Sequence, residues 1–495
     1  MIDNLLLGLS IVFTVKGIFF LVSGCILGTI IGVLPGIGTV ATLALLFPYL
    51  YGVDPTYSII MMAGIYYGAQ YGGSTTSILL NTPGEASNIM TCIDGYQMTQ
   101  KGFGGQAIIS AGVASLIGGI ITLFIIGILS PLVSSVALKF GSKELCLLML
   151  LGLISISTIT IKDLVGGLGL ACIGILLGLV GTDINTGVMR FTGNNVYLAD
   201  GISIPIIAIG IFGVAEVFRN LFSKDYKPIT RNLKINFGWE QFKRILPSSL
   251  RGTAIGTWFG MIPGGGAIMS SFAAYALEKK VSKNKDLIGK GAVEGVAAPE
   301  AANNAASQVG FIPLLTLGIP ENAVMALILG ALTMASVQVG PGMIEKNPSL
   351  FWGLLVSMFF GNLILALLNI PLVKIWLIFL RIPKLILYPL ILTVSLIGSY
   401  YINNSLFEVG LVLIFGVFGI LLSKLNLEAA PLMFGFVIGP MFEEHLRRSL
   451  LLTQGSWLPF AENPTGKILL SIIVLVLSYG IFKTLKRSKE NESTT

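Results

Sequence analysis

From Leu5 almost to the C-terminus, apolar runs long enough to span a bilayer, about 20 residues each, alternate with short polar or glycine-rich interruptions. The pattern predicts roughly ten to thirteen crossings or half-crossings, all helical, because only helices and closed barrels satisfy their backbone in hydrocarbon. Two interruptions match each other. Gly28, Gly32, Pro35, Gly36 and Gly38 recur as Gly256, Gly260, Pro263, Gly264 and Gly266, at a constant offset of 263 − 35 = 228. Proline removes a backbone donor and glycine loosens a helix, so each cluster leaves polar groups that protein, water or ligand must meet. In transporters such breaks lie where substrate binds.

The similarity continues downstream. At the same offset, residues 68–77 fall opposite residues 296–305, both small, polar and poor in helix formers. Each block runs on into a proline motif, Asn81-Thr82-Pro83-Gly84-Glu85 and Thr316-Leu317-Gly318-Ile319-Pro320-Glu321, where 320 − 83 = 237 shows nine extra residues in the second copy. The expected fold is an all-α polytopic integral membrane protein made of two sequence-related repeats with broken helices or re-entrant hairpins. Pro35, Gly36, Gly38, Pro83, Pro263, Gly264, Gly266 and Pro320 mark the breaks.

Composition agrees with a bilayer setting: 54% of the 495 residues are hydrophobic and 11% charged, against about 25% charged in soluble domains. Asp3 stands where a basic leader would begin and no small-residue cleavage site follows, so the first apolar run reads as an anchor rather than a removable signal. The net charge of +7 is unevenly placed. Residues 219–251 carry Arg219, Lys224, Lys227, Arg231, Lys234, Lys243, Arg244 and Arg251 against Asp225 and Glu240, and a second basic stretch holds Lys279, Lys280, Lys283, Lys285 and Lys290. Both stretches, like the tail with Lys483, Lys486, Arg487 and Lys489, should be cytoplasmic. Residues 252–278 between them are too few for two crossings of about 20 residues, and one crossing would put a basic stretch outside. A hairpin that enters the membrane and turns back at 263–266 resolves this. The chain accordingly divides into an N-terminal repeat, 1–218, with its motif core at 24–110; a basic cytoplasmic loop, 219–251; a C-terminal repeat, 252–480, with its core at 252–342; and a basic tail, 481–495.

Carrying an anion through a membrane means replacing its water with helix N-termini, backbone amides and hydroxyl or amide side chains. The first repeat offers Ser74, Thr75, Thr76, Ser77, Asn81 and Thr82 for this; the second offers Asn303, Asn304, Ser307 and Thr316. Small polar residues also let helices pack closely, which is the competing role for any one of them. Among the acidic residues, Glu294 and Glu300 border the second block and are candidates for binding a coupling cation or a proton, or for a structural role at the membrane edge. Glu85 and Asp94 fall in a polar stretch, 84–105, that reads as a loop or interfacial segment, where they are expected to be solvated or salt-bridged, Asp94 for instance with Lys101. His445 lies between two helical i,i+4 pairs, Glu443 with Arg447 and Glu444 with Arg448, as at a charged helix end. No phosphate-binding loop, catalytic pair, paired cysteine spacing or metal cluster is present in the sequence, so no enzyme and no cofactor is expected beyond Na⁺ or H⁺ as a coupling ion.

Leu34-Pro35-Gly36-Ile37-Gly38, the stretch 66–74, Asn81-Thr82-Pro83-Gly84-Glu85, Asp94-Gly95-Tyr96, Gly289-Lys290-Gly291 and the stretch 294–305 resemble the large membrane subunit of tripartite tricarboxylate transporters. The resemblance implies an ion-driven importer of tricarboxylates or related organic carboxylates in the bacterial inner membrane. It also implies two partners, a small membrane subunit of about four spans and a periplasmic solute-binding protein. The chain departs from the family pattern at Glu321, where glycine is usual, and at Val339-Gly340-Pro341-Gly342. A passive anion channel or a membrane scaffold for another complex is the alternative.

Overall fold

The computed structural model describes the chain except for residues 1, 35–37, 161–163, 184–185, 222–236, 263, 377–383 and 493–495. Pro35, Gly36 and Pro263, three of the residues expected to break the helices, therefore lie outside the described residues, as does most of the basic loop. Helices dominate. In the first half they are α1 (Ile2–Val12), α2 (Val15–Val33), α3 (Thr39–Leu50), α4 (Pro55–Leu80), α5 (Ile89–Gln100), α6 (Gly104–Ala137), α7 (Ser142–Thr160) and α8 (Leu164–Gly178). A two-residue antiparallel ribbon, β1 (Gly181–Thr182) with β2 (Met189–Arg190), precedes α9 (Ile204–Ala208), which continues through a π-helical turn, Ile209–Val214, into α10 (Ala215–Leu221). The second half holds α11 (Trp239–Gly260), α12 (Gly266–Val281), α13 (Val293–Val309), α14 (Phe311–Leu317), α15 (Ala323–Met334), α16 (Met343–Lys346), α17 (Pro348–Asn369) and α18 (Val373–Trp376). It ends with α19 (Lys384–Asn403), α20 (Leu406–Lys424), α21 (Ala430–Leu452) and α22 (Pro464–Glu492).

Local chemistry explains where the central helices start and stop. Asp54 accepts the Thr56 N–H at 2.8 Å with Pro55 in the first turn, the standard way to open a helix. At their ends, Asn81 (φ 56°) closes α4 and Gly318 (φ 72°) closes α14 in the left-handed region, which asparagine and glycine enter most readily. These two caps are 318 − 81 = 237 residues apart.

Five helices among the described residues are long and apolar enough to cross a membrane: Val15–Val33, Gly104–Ser135, Pro348–Asn369, Leu406–Lys424 and Pro464–Phe482. Four shorter apolar helices, Ile2–Val12, Thr39–Leu50, Leu164–Gly178 and Ala323–Met334, accompany them. Five full-length and four shorter apolar helices make nine among the described residues, against the ten to thirteen segments read from hydropathy. The polar helices α4 and α13 sit innermost: every residue of α13, and all of α4 from Ser58 to Leu79, is buried. In both halves the glycine-bearing helix lies against this inner helix, α2 on α4 and α11 on α13, while α17 packs on α4 and α6 on α13. An apolar coat around two polar helices is the arrangement a bilayer demands, since polar groups there must face protein.

Glycines set how closely the pairs approach. A Cβ placed on Gly24, Gly28 or Gly32 would run into the backbone of Met61, Ile65 or Ala69; one placed on Gly252, Gly256 or Gly260 would run into Ala298, Ala302 or Ala306. The glycines are 228 apart, but their contacts are 298 − 61 = 237 apart. The register given above for the polar blocks is therefore corrected. Gly68 corresponds to Ala305, not Val296: an added Cβ on Gly28 meets Gly68 Cα at 2.9 Å, and one on Gly256 meets Ala305 Cβ at 2.8 Å. The nine extra residues fall earlier, between the second break and α13, where α12 has 16 residues against 12 in α3 and the connection at 282–292 outgrows that at 51–54.

The second break forms a hairpin. Gly264 (φ 81°) and Gly266 (φ 52°) turn the chain, and α12 runs back along α11, to which it is tied by Arg251 and Glu278 at 2.7 Å. Of the stretch expected as a loop at 219–251, Arg219 belongs to α10, and residues 239–251 form the first part of α11. After the first break, opened by Gly38 (φ 69°), α3 instead leans on α9, the π-helical turn, α15 and α19.

Candidate functional site

Each proline motif folds back to the N-terminus of the helix that follows its own break. In the first half Glu85 Oε1 accepts the Thr39 N–H at 2.6 Å and the Thr39 hydroxyl, which caps the N-terminus of α3. Asn322, 322 − 85 = 237 residues further on, takes the matching place at α12. A Cβ on Gly266 would stand 3.5 Å from its Nδ2, and the Gly264 N–H donates to the Glu321 carbonyl at 3.0 Å.

Between the inner helices lies a buried polar seam. Glu300 of α13 is fully buried and accepts from Asn88 Nδ2 at 3.0 Å, from the Thr91 hydroxyl and from Asn303 Nδ2 at 3.4 Å. Asn304 Nδ2 donates to Ser115 Oγ of α6 and to Asn303 Oδ1, both at 2.8 Å. Asn88 reaches Gln70 O of α4 at 3.3 Å, and the Ser87 hydroxyl donates to Gln70 Oε1. Residues from both halves thus surround one carboxylate that no described cation pairs with. Oδ1 of Asn88 and of Asn304 have no partner. A second group links Tyr71, Asn362 and Gln308, with Asn362 Oδ1 accepting from Gln308 Nε2 at 3.1 Å.

The anticipated ligands separate into two sets. Hydroxyls of Ser74, Thr76, Ser77 and Thr316 donate to their own helix, to Tyr71 O (2.7 Å), Gly73 O (3.1 and 2.9 Å) and Ile312 O (2.6 Å). Asn303 and Asn304 belong to the seam and Thr75 is buried on α4, while Asn81 is an exposed helix cap and the Thr82 hydroxyl reaches Leu80 O at 3.3 Å. Ser307, too, donates to its own helix, at Asn303 O. Sequence reasoning missed Gln70, Ser87, Asn88, Thr91 and Ser115. The signal available was the polar spacing within 84–105, which forms helix α5 rather than a loop.

Asp94, Glu294 and Glu443 have close partners. Asp94 is buried and accepts the N–H groups of Gly289, Gly291 and Ala292 at 2.7–2.9 Å and the Tyr275 hydroxyl at 2.8 Å. The expected bond to Lys101 is not made: Lys101 donates to Lys290 O at 2.5 Å. Glu294 is held by Arg244 through two hydrogen bonds of 2.9 and 3.0 Å and by Asn284 at 2.6 Å. Glu443 does pair with Arg447 at 2.7 Å, and Arg190 and Asp183 extend that pair into a four-residue network joining the β ribbon to α21.

The model of the tripartite tricarboxylate transporter TctA family matches residues 18–434. The chain belongs to that family. An uncharacterised 52.8 kDa protein from the TAR-I ttuC' 3' region of Agrobacterium vitis is 44% identical over 492 residues, covering 99% of this chain and 98% of that protein. A second, from the TAR-II ttuC' 3' region of the same organism, is 44% identical over 235 residues, 48% of this chain and 97% of its own length. No solved structure matches. As a TctA-family member the chain is a large membrane subunit of a tripartite transporter. The seam and both proline motifs lie inside the matched region.

Proposed function

We propose that this TctA-family subunit is the permease of a binding-protein-dependent secondary transporter that imports tricarboxylates or related organic carboxylates across the bacterial inner membrane. A periplasmic solute-binding protein delivers the anion, and a small membrane subunit of about four spans completes the complex. A Na⁺ or H⁺ gradient drives symport. The repeats, 1–218 and 252–480, are the two parts that move relative to each other around a midplane site.

The observation that carries this reading is the buried seam where Asn88 and Thr91 from one half meet Glu300, Asn303 and Asn304 from the other. Amides and hydroxyls at depth, with unpartnered amide oxygens, suit a site that exchanges its internal bonds for a ligand's. Of the residues proposed as ligands, Asn303, Asn304 and Thr75 remain foremost. Ser74, Thr76, Ser77 and Thr316 shape the helices that present them, and Asn81 and Thr82 close α4 beside the first proline motif.

Asn303→Ala and Thr75→Ala should each cost about 1–2 kcal/mol of substrate interaction, on the order of tenfold in apparent affinity, with membrane insertion intact. The check is substrate uptake by cells expressing all three components, normalised to membrane-inserted protein. Unchanged kinetics in both variants would remove this site.

A further inference from the structure

Glu321 stands apart from every other buried acid described. It follows Pro320 in the second proline motif, is 1% exposed, and receives one hydrogen bond, from Asn322 Nδ2 to Oε1 at 3.0 Å. Its Oε2 has no partner, and none of the ion pairs among the described residues includes it.

Among the described residues, the elements around it supply no counter-charge in an ion pair. From the turn before α12 comes Gly264, whose N–H is taken by the Glu321 carbonyl, and from the start of α12 comes Gly266, whose added Cβ would lie 3.9 Å from the carboxyl carbon. The junction of α13 and α14 presents Gly310, where an added Cβ would lie 2.5 Å from that carbon. From α4 comes Tyr66, a titratable group whose hydroxyl accepts from Asn322 Nδ2 at 2.8 Å; Glu85 lies within electrostatic reach of the same phenol. Around the neighbouring Ile319, α7, α8 and α21 present Met149, Leu153, Ile156, Ala171, Phe434 and Ile438.

An ionised carboxylate here would leave one oxygen without a donor and its charge without a counter-ion, the costliest state available to a buried side chain. The protonated acid is neutral, and its Oε2–H lacks only an acceptor. Glu294 has its arginine and Glu300 has donors on both oxygens, so neither shares this state.

We propose that Glu321 binds the proton that couples transport, and that its Oε2–H donates to a carboxylate of the transported anion at the N-terminus of α12. This rests on the carboxylate-transport reading above. Ionised Glu321 repels an incoming anion, so the anion binds after one proton has been taken up from outside. Loss of that proton inside restores the repulsion and expels the anion.

The test uses the complete three-component complex in proteoliposomes, with citrate, malate and benzoate as probes. Wild type should accumulate at least one of them under an inward proton gradient. In Glu321→Gln, which keeps a neutral donor but cannot release a proton, accumulation should fall at least tenfold, to the leak level. Exchange of external for internal probe should remain measurable in that variant and lose its pH dependence, while Glu321→Asp should retain some of it. Infrared spectroscopy of the solubilised wild-type complex should show a protonated-carboxyl band that Glu321→Gln lacks, a readout that needs no substrate. Undiminished proton-driven accumulation by Glu321→Gln, accumulation by wild type under a sodium gradient alone, or absence of the infrared difference would each overturn the assignment and leave the transport reading in place. Failure of wild type to exchange or accumulate any probe would overturn both.

Discussion

Gly28 and Gly256 each lie against a backbone carbonyl of the neighbouring helix, so the first carbon added there has no space. Gly256→Val should destabilise by about 1–3 kcal/mol, the usual cost of overpacking, and lower the apparent melting temperature of the detergent-solubilised protein. Gly410→Ala, at a position where an added Cβ meets nothing within 4 Å, is the control and should leave it unchanged or raise it slightly. At this scale the sequence was informative about backbone and less so about partners. Glycine spacing announced close approach because only a missing side chain permits it. The bonds of Asn88, Thr91 and Ser115 to the Glu300 network were invisible, since they join residues about 200 apart: 300 − 88 = 212.

At the scale of elements, the second hairpin is held by one ion pair with unequal surroundings. Glu278 is fully buried and also accepts from Ser248 Oγ at 2.7 Å, while the Arg251 side chain is 35% exposed. Arg251→Ala leaves a buried carboxylate without its cation, at about 2 kcal/mol, below the 3–5 kcal/mol of fully buried pairs because water already screens the arginine. Removing both charges with Arg251→Met and Glu278→Leu should recover most of that loss. A double-mutant cycle on apparent melting temperature checks it, and additive losses would mean the pair does not act as a unit. At the first break, where α3 does not run back along α2, the positions 228 earlier are Ser23 and Leu50, which cannot form such an ion pair. Loop charge pointed to the second hairpin correctly, because a return to the same face was the one path consistent with two flanking basic stretches. It could not place the nine-residue insertion. Residues 296–305 resemble residues 68–77 in composition at the 228 offset, but what the glycines touch places them opposite 59–68 instead.

For the whole molecule, hydropathy revealed a membrane protein because a bilayer imposes apolar runs on every surface helix, and the recurring glycine and proline motifs revealed its two related halves. Its count of ten to thirteen segments was harder to resolve into full and half spans, since α4 and α13 are polar helices hidden by others and give no spanning signal. The two halves interlock, α17 of one on α4 of the other and α6 on α13, so motion of one half must be felt in the seam between them. Under the proposed function the subunit is a carrier that works against a gradient, whereas a pore only equilibrates. The most direct measurement is uptake of radiolabelled citrate, malate and benzoate into proteoliposomes holding the subunit with its small membrane partner, with and without the binding protein, under imposed Na⁺ or H⁺ gradients. The expected result is internal accumulation above the external concentration for at least one acid, abolished by omitting the binding protein or collapsing the gradient. Equilibration without accumulation, or no movement of any acid, would contradict the account.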